Sequence, residues 1–427
     1  MTTTDRRSFL KLGGMTLLLS AVNPSLARAS RSERLRTLGE RSPSGKRLVY
    51  IFLRFGQDGL NTLVPYEAGE HATYMSYRPQ LGIPRNLLDP YVVGTDFALS
   101  PVMAGTIYQL YQNGQVALLP TTGYPNSSRS HFDSQLFVDN GVPFSKQVAD
   151  GWLNRYLQAN PGGEILRALA FNAGLPYSLS GPSAAMSFFN LDSLVVSGDP
   201  VRNQKYLDSQ RQVYGQAKPP LAYRSELGGT GTGLLDAIDQ LTMGTLPPPT
   251  PAIPYPNGNF GTQMSQLAQL IKSGDFGIEV AEVDRGGWDH HANQQDPGNP
   301  LAGTYPGMVQ EVMDAIYAFV TDLGPLMDDT IILTSSEFGR TARQNGSMGT
   351  DHGNAWLSMV IGGTGGNVAG GVYLGSGWPG LTNLRENRDL RHTIDFRDVH
   401  YEALSRHLGG DASTVFPDWT PTPVGFL

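Results

Sequence analysis

The 427-residue chain contains no cysteine. Disulfide staples, Cys-ligated zinc or iron–sulfur centres and a cysteine nucleophile are therefore excluded. Charge is scarce too: 31 Lys and Arg stand against 38 Asp and Glu, 16% of the chain, for a net charge of −7. No basic face of the kind that neutralises nucleic-acid phosphates is expected, so nucleic acid is not a predicted partner. Beyond the N-terminal region no apolar window approaches the ~20 residues of a membrane-spanning helix. What is abundant is glycine, 51 residues, and proline, 30. With 40% hydrophobic residues the chain can fill a sizeable core, in one large domain or two smaller ones, with much of its length in loops.

The N-terminus reads RRSFLK at 6–11, followed by an uncharged apolar stretch, Leu12 to Val22, and small residues at Ala27 and Ala29. This resembles a twin-arginine export signal, with Asp5 where Ser or Thr is common. The stretch is about half the length of a membrane span, so the reading is a signal peptide over 1–29, cleaved after Ala29. An arginine-bearing flexible leader over 30–45 and a domain over 46–427 follow. The predicted location is periplasmic or extracellular, with the twin-arginine export machinery as a partner and no stable membrane span after cleavage. That route carries folded proteins and requires no disulfides.

Along the mature chain, LVYIFLRF at 48–55 and VALLPT at 116–121 read as buried strands running into loops. Further strands are expected at 276–284, 331–336 and 356–363. Helices are expected near 131–139, at 262–273, around Val309, Val312, Met313, Ile316, Phe319 and Val320, and at 397–408. Alternating helix and strand predicts an α/β fold with a mostly parallel sheet covered on both faces. Between about 178 and 258 the pattern dissolves into Gly/Pro-rich sequence, read as an insertion or cap.

Open α/β folds bind ligands beyond the carboxyl ends of their strands, and four predicted strands end in polar clusters. In GQDGLN at 56–61, Asp58 is either a turn residue or a ligand. In SRSHFDSQ at 128–135, Ser130 is either a helix N-cap or a nucleophile at a helix N-terminus, with Arg129 and His131 beside it. GGWDHHANQ at 286–294 offers Asp289, His290 and His291, donors that suit a divalent ion, or else a solvated polar loop. The last cluster runs from SSEFGRT to GTDHGNAW and carries Glu337, Arg340, Asp351 and His352. Five of the eight histidines, His71, His131, His290, His291 and His352, lie in or near these segments. Trp288 and Trp356 read as wall packing. The Gly-rich run at 361–371 lacks the Lys-Ser/Thr of a phosphate loop.

The ordered set QDGLN, SHFD, GGWDHH, SEFGRT and GTDHG resembles the exported bacterial family labelled domain of unknown function 1501, within the alkaline phosphatase and sulfatase-like superfamily. The resemblance spans about 45 to 427, and SEFGRT with GTDHG is its most specific part. It implies an alkaline phosphatase-like fold, Asp58 as an early metal ligand and Ser130 as nucleophile. Asp289 with His291, and Glu337 with His352, would be further ligands of one or two divalent ions (Zn, Mn, Mg or Ca). His290 stands where the family commonly has Thr, which favours His291. Ser336–Glu337 stands where the superfamily often has Asp-His. Arg129 or Arg340 would clamp the non-bridging oxygens, with His131 beside the nucleophile.

The implied activity is metal-dependent hydrolysis of phosphate or related esters, on a small-molecule or polymer substrate. Formylglycine sulfatases are excluded, because the chain has neither cysteine nor an S-x-P-x-R string. Two other readings share the fold: a non-catalytic binding or assembly protein, and a metal-dependent carboxyl-ester, amide or sugar-modifying hydrolase.

Overall fold

Strand β1, Arg47–Leu53, is apolar from Leu48 onward, where it is buried on both sides. Successive side chains of a strand face opposite ways. Val49, Ile51 and Leu53 therefore enter one core, and Leu48, Tyr50 and Phe52 enter the other. The computed structural model describes residues 45–162, 166–194, 199–215, 233–239, 241 and 245–427. The expected signal peptide (1–29) and, Gly45 apart, the leader (30–45) lie outside them.

The other strands of the main sheet are β2 (Val116–Gly123), β3 (Ala168–Phe171), β4 (Met186–Phe188), β5 (Val280–Arg285), β6 (Thr330–Ser335), β7 (Trp356–Ile361), β8 (Gly371–Val372) and β9 (Ile394–Asp395). Their order is β8-β2-β7-β6-β1-β5-β3-β4, with β9 also paired to β2. β1 runs parallel between β5 and β6, with Val49 opposite both Ala281 and Ile332. β7 alone runs the other way, antiparallel to β2 and β6. No helix intervenes between β6 and β7, so the chain turns back on itself instead of making the crossover that a parallel neighbour needs.

The helices that cover the sheet are α1 (His131–Asn140), α2 (Trp152–Ala159), α3 (Asn259–Ser273), α4 (Thr304–Leu323) and α5 (Phe396–Glu402). α3 supplies Met264, Leu267 and Ile271 to one core, and α4 adds Val309, Val312, Ile316 and Phe319. On the opposite face Trp152, Leu153 and Tyr156 of α2 meet Phe396 and Val399 of α5. The fold is thus a mostly parallel sheet with helices on both faces, as the alternation predicts. No described helix is long and apolar enough to cross a membrane.

The 178–258 segment, read as an insertion or cap, is described only in part. It supplies the edge strand β4, parallel to β3. Its proline-rich end is tied to α4, where Asp322 accepts from the backbone N–H of Thr250 (2.7 Å), the Tyr255 hydroxyl (2.9 Å) and Lys272 Nζ (2.5 Å). Both β3 and β4 escape sequence reading because three or four residues are too few to show a period.

His400 on α5 is enclosed by aromatic rings. It stacks on Trp152 with centroids 4.4 Å apart, and its Nδ1 has no hydrogen-bond partner. Burial pushes its pKa down to about 3, against ~6.5 in an unfolded chain. Below that unfolded value the unfolded state binds a proton that the folded state refuses. Stability is therefore lost as pH falls from about 6.5 toward 3, at up to ~1.4 kcal/mol per pH unit. A His400→Phe variant is expected to show a shallower loss of urea-unfolding stability between pH 6 and 4.5 than the parent; identical slopes would refute the assignment.

Candidate metal centre

β1, β2, β5 and β6 point in one direction, so their carboxyl ends share one edge of the sheet. The antiparallel β7 begins at that same edge, which brings the segment just before it, Asp351–His352, alongside the strand-end loops. The loop after β5 is held by Trp288, fully buried, whose indole N–H donates to the Arg285 carbonyl at 2.8 Å. Asp289 and the two histidines follow. His290 turns inward against Tyr305, its Nδ1 3.1 Å from the Trp288 carbonyl, and burial lowers its pKa. His291 turns the other way, toward the cluster.

Three imidazoles meet at Asp289. Its Oδ1 lies 3.0 Å from His291 Nε2 and 3.1 Å from His352 Nε2, and its Oδ2 lies 3.4 Å from His131 Nε2. Ligand atoms of His131, Asp289 and His352 all fall within 4.8 Å of one another, the only such group among the described residues.

The other ring nitrogens face outer acceptors. His131 Nδ1 is 2.7 Å from Glu337 Oε1, His352 Nδ1 is 2.7 Å from the Arg129 carbonyl, and His291 Nδ1 is 3.0 Å from Asp351 Oδ1. Carboxylates and carbonyls accept, so each Nδ1 carries the hydrogen and donates it. Each ring then turns its Nε2 inward, toward Asp289. His131 Nε2 is buried without a hydrogen-bond partner, and the Nε2 atoms of His291 and His352 face each other at 2.9 Å. At that distance one Nε2 can donate to the other, or both can turn to a shared cation. Nitrogen and carboxylate donors with outer acceptors on each Nδ1 fit a divalent ion such as zinc.

Electrostatics agree with that assignment. Burial acts to raise the Asp289 carboxyl, but the Arg340 hydrogen bond and charge, with His291 and His131, outweigh it and hold the pKa at about 2. Burial and the neighbouring His131 and Arg340 lower that of His352, against the raising effect of its bond to the Arg129 carbonyl. Near neutral pH the group therefore offers an anionic oxygen and an unprotonated His352 imidazole.

Two backbone conformations support the outer acceptors. Phe55, a non-glycine residue at φ +89°, aims its N–H at Glu337, 2.8 Å from Oε1 and 3.1 Å from Oε2. Arg129, at φ +57°, presents its carbonyl to His352. Positive φ is costly for such residues, and strain of this kind concentrates at functional sites.

Several residues take places other than those the resemblance implies. Asp58 is not in the cluster: its oxygens accept from Arg78 Nη1 at 2.7 Å and Nη2 at 3.0 Å, and Gln294 Nε2 adds a third bond at 2.6 Å. With Arg78 and Asp58 both buried, the carboxylate is spent on that pair. Glu337, fully buried, orients His131 from behind instead of joining the inner group. The Arg129 guanidinium binds Asp389 and Glu386. That of Arg340 holds Asp289 at 2.8 Å and the Thr350 carbonyl. Neither stands as a free clamp. Ser130 caps α1, its Oγ accepting weakly from the Asp133 N–H at 3.5 Å. His131, expected beside the nucleophile, is itself one of the converging imidazoles. Asp351 was legible as the neighbour of His352 but not as its sister ring's anchor, and nothing in the sequence marks Arg78.

The family model described as "Protein of unknown function (DUF1501)" matches residues 118–415. The chain belongs to the DUF1501 family. The matched span contains His131, Asp289, His291, Glu337 and His352 and starts after Asp58. Among solved structures, this DUF1501 chain is similar to a phosphonate monoester hydrolase of Agrobacterium radiobacter at 11% identity and TM-score 0.33, over 90% of this chain and 79% of that one. It is also similar to the phosphonate monoester hydrolase of Silicibacter pomeroyi, at 10% identity and TM-score 0.34, over 87% and 75%. Thermus thermophilus alkaline phosphatase gives 13% identity and TM-score 0.26, over 73% and 64%. A search of curated proteins finds no match.

Arg78→Met would leave the Asp58 carboxylate buried without its counter-charge, which costs about 3–5 kcal/mol. Urea unfolding is expected to register that loss, and adding Asp58→Asn to the variant should restore part of it. A cost below ~1 kcal/mol would mean that the pair does not hold this loop.

Proposed function

We propose that the chain is a metal-dependent hydrolase of phosphate or related esters, of the alkaline phosphatase-like superfamily, with His131, Asp289, His291 and His352 holding one divalent ion. The observation that carries this reading is the convergence of three Nε2 atoms on Asp289 while each Nδ1 donates outward. One ion is favoured over two, because Asp58 is committed to Arg78 and Glu337 to His131 and Phe55. A divalent ion at this position supplies Lewis-acid polarisation of a phosphoryl oxygen and a lowered pKa for a bound hydroxyl or water.

Ser130 is the proposed nucleophile. It lies between Arg129, whose carbonyl holds His352, and His131. It also opens α1, where free first-turn N–H groups favour a developing oxyanion. Its Oγ bonds to phosphorus as the ester P–O bond breaks, and the hydroxyl proton leaves with the departing alcohol; water then cleaves the seryl phosphate, releasing inorganic phosphate and restoring the hydroxyl. Arg340 keeps the Asp289 carboxylate ionised and in register throughout. Export through the twin-arginine route, on the strength of Arg6–Arg7 and the apolar stretch after them, is part of the same proposal.

Protein purified from the periplasm is expected to carry about one zinc or manganese ion per chain by elemental analysis, and Asp289→Ala or His352→Ala should abolish that content. Ser130→Ala should keep the ion and lose turnover of an aryl phosphate by ~10³-fold or more. Metal-free parent protein that takes up neither zinc nor manganese would end this reading.

A further inference from the structure

The turn at 384–391 lies against the metal group, and Arg129 spans the two. Its carbonyl takes the His352 Nδ1–H, while its guanidinium Nη2 holds Asp389 Oδ2 and Glu386 Oε2, each at 2.6 Å. From the other side, the Ala342 N–H donates to the Arg388 carbonyl at 3.0 Å. Thr341, paired with Asp389, donates its N–H to the Asp351 carbonyl at 2.9 Å. Glu386 and Asn387 sit at φ +52° and +54°, and the Arg388 N–H closes the turn on the Arg385 carbonyl at 3.0 Å. Two successive non-glycine residues in the left-handed region are costly, and such strain concentrates at functional sites.

This turn gathers positive charge in a chain whose net charge is −7. Arg129, Arg385 and Arg388 share two carboxylates, Glu386 and Asp389. Among the described residues, Arg343 and Arg391 make no ion pair. Arg343 donates to the Asn387 carbonyl at 2.7 Å and stacks over Tyr77, and Arg391 donates to the Asn383 and Leu384 carbonyls. Five guanidinium groups are thus gathered around two carboxylates. Each carries five N–H donors, more than these bonds consume, and Arg388, 35% exposed, and Arg391 reach solvent. The field of the turn extends to the metal group. Burial acts against an ionised Asp351, but the bonds from His291 and Asn345 and the charges of His291 and Arg388 outweigh it.

Building on the hydrolase reading, we propose that this arginine cluster is a second anion-binding site, and that the substrate is an ester carrying another phosphate, sulfate or carboxylate beside the scissile group. Arg388 and Arg391 are the specificity-determining residues. The planar guanidinium fork matches two oxygens of such a group. A single turn meets one or two oxyanions, not the row of phosphates along a nucleic-acid strand. A cationic substituent would be repelled at the same place.

The test uses the full-length zinc-loaded protein, its metal content verified, and equilibrium binding of ethyl, butyl and hexyl phosphonates with and without a terminal sulfonate. The sulfonate is permanently anionic and a poor zinc ligand, so it reports on the second site alone. At the best tether length the sulfonated compound is expected to bind about 10-fold tighter than its plain counterpart at low salt. Most of that gain should vanish at ~0.5 M salt. In the double variant Arg388→Gln/Arg391→Gln the gain should fall toward unity, whereas Arg388→Lys/Arg391→Lys should keep part of it. No gain at any tether length while zinc and the plain phosphonates are bound would overturn the second site and leave the hydrolase reading intact, as would a gain that survives Arg388→Gln/Arg391→Gln. A protein that holds no zinc and binds no phosphonate of either kind would instead overturn the hydrolase reading and the second site together.

Discussion

An imidazole can direct a bare lone pair at a chosen point only when its other nitrogen is already donating, and the DUF1501 chain meets that condition three times around Asp289. Glu337, Asp351 and the Arg129 carbonyl each take one Nδ1–H. The choice of acceptor matters: a backbone carbonyl can only accept, so it calls for a hydrogen on the His352 Nδ1, while Glu337 and Asp351 hold the other two rings through carboxylate oxygens. Remove the outward bonds and the inner nitrogens become interchangeable donors and acceptors with no reason to converge.

That outer layer is itself held by the sheet. β1 leads into Phe55, whose N–H engages Glu337 beyond the end of the adjacent β6. β2 leads to α1 and His131, and β5 to Asp289. Because β7 runs antiparallel, His352 arrives from the strand's beginning instead of its end, and one loop between β6 and β7 carries Glu337, Arg340, Asp351 and His352. Arg340 binds across that loop to Thr350 and out to Asp289. The same residue thus closes the loop on itself and fixes it to its neighbour. The buried Asp58–Arg78 pair does comparable work on the loop after β1: Arg78 also donates to the Thr341 and Ala342 carbonyls, tying that loop to SEFGRT.

Much of this was legible in the sequence, for identifiable reasons. Strands buried on two faces leave uninterrupted apolar runs, so β1, β2, β5, β6 and β7 could be read directly, and amphipathic spacing gave α3 and α4. Histidine beside aspartate in glycine-containing strand-end loops marked the cluster. What stayed hidden was carried by partners or by backbone. Asp58 reads as a ligand until Arg78 is brought to it, and no motif connects the two. Glu337 and Asp289 look alike as acidic residues at strand ends; only the turn at Phe55 and the reach of His131 separate an orienting carboxylate from an inner one. The carbonyl of Arg129 has no sequence signature at all. The direction of β7 follows from the absence of a helix in a loop, a weaker signal than the presence of one.

The inner group draws on segments far apart in the chain: α1 after β2, the loop after β5, and the loop before β7. The loop after β5 meets the other two regions only when the sheet between them is complete, because β6 and β1 stand between β7 and β5, whereas β2 and β7 are neighbours. The full set of donors therefore forms only with the finished sheet. A nascent or unfolded chain offers scattered imidazoles that any thiophilic or misplaced metal could share, whereas the finished sheet offers one defined set of donors. Metal selection would then be made wherever folding happens, and under the proposed twin-arginine export that place is the compartment the chain leaves, not the one it reaches.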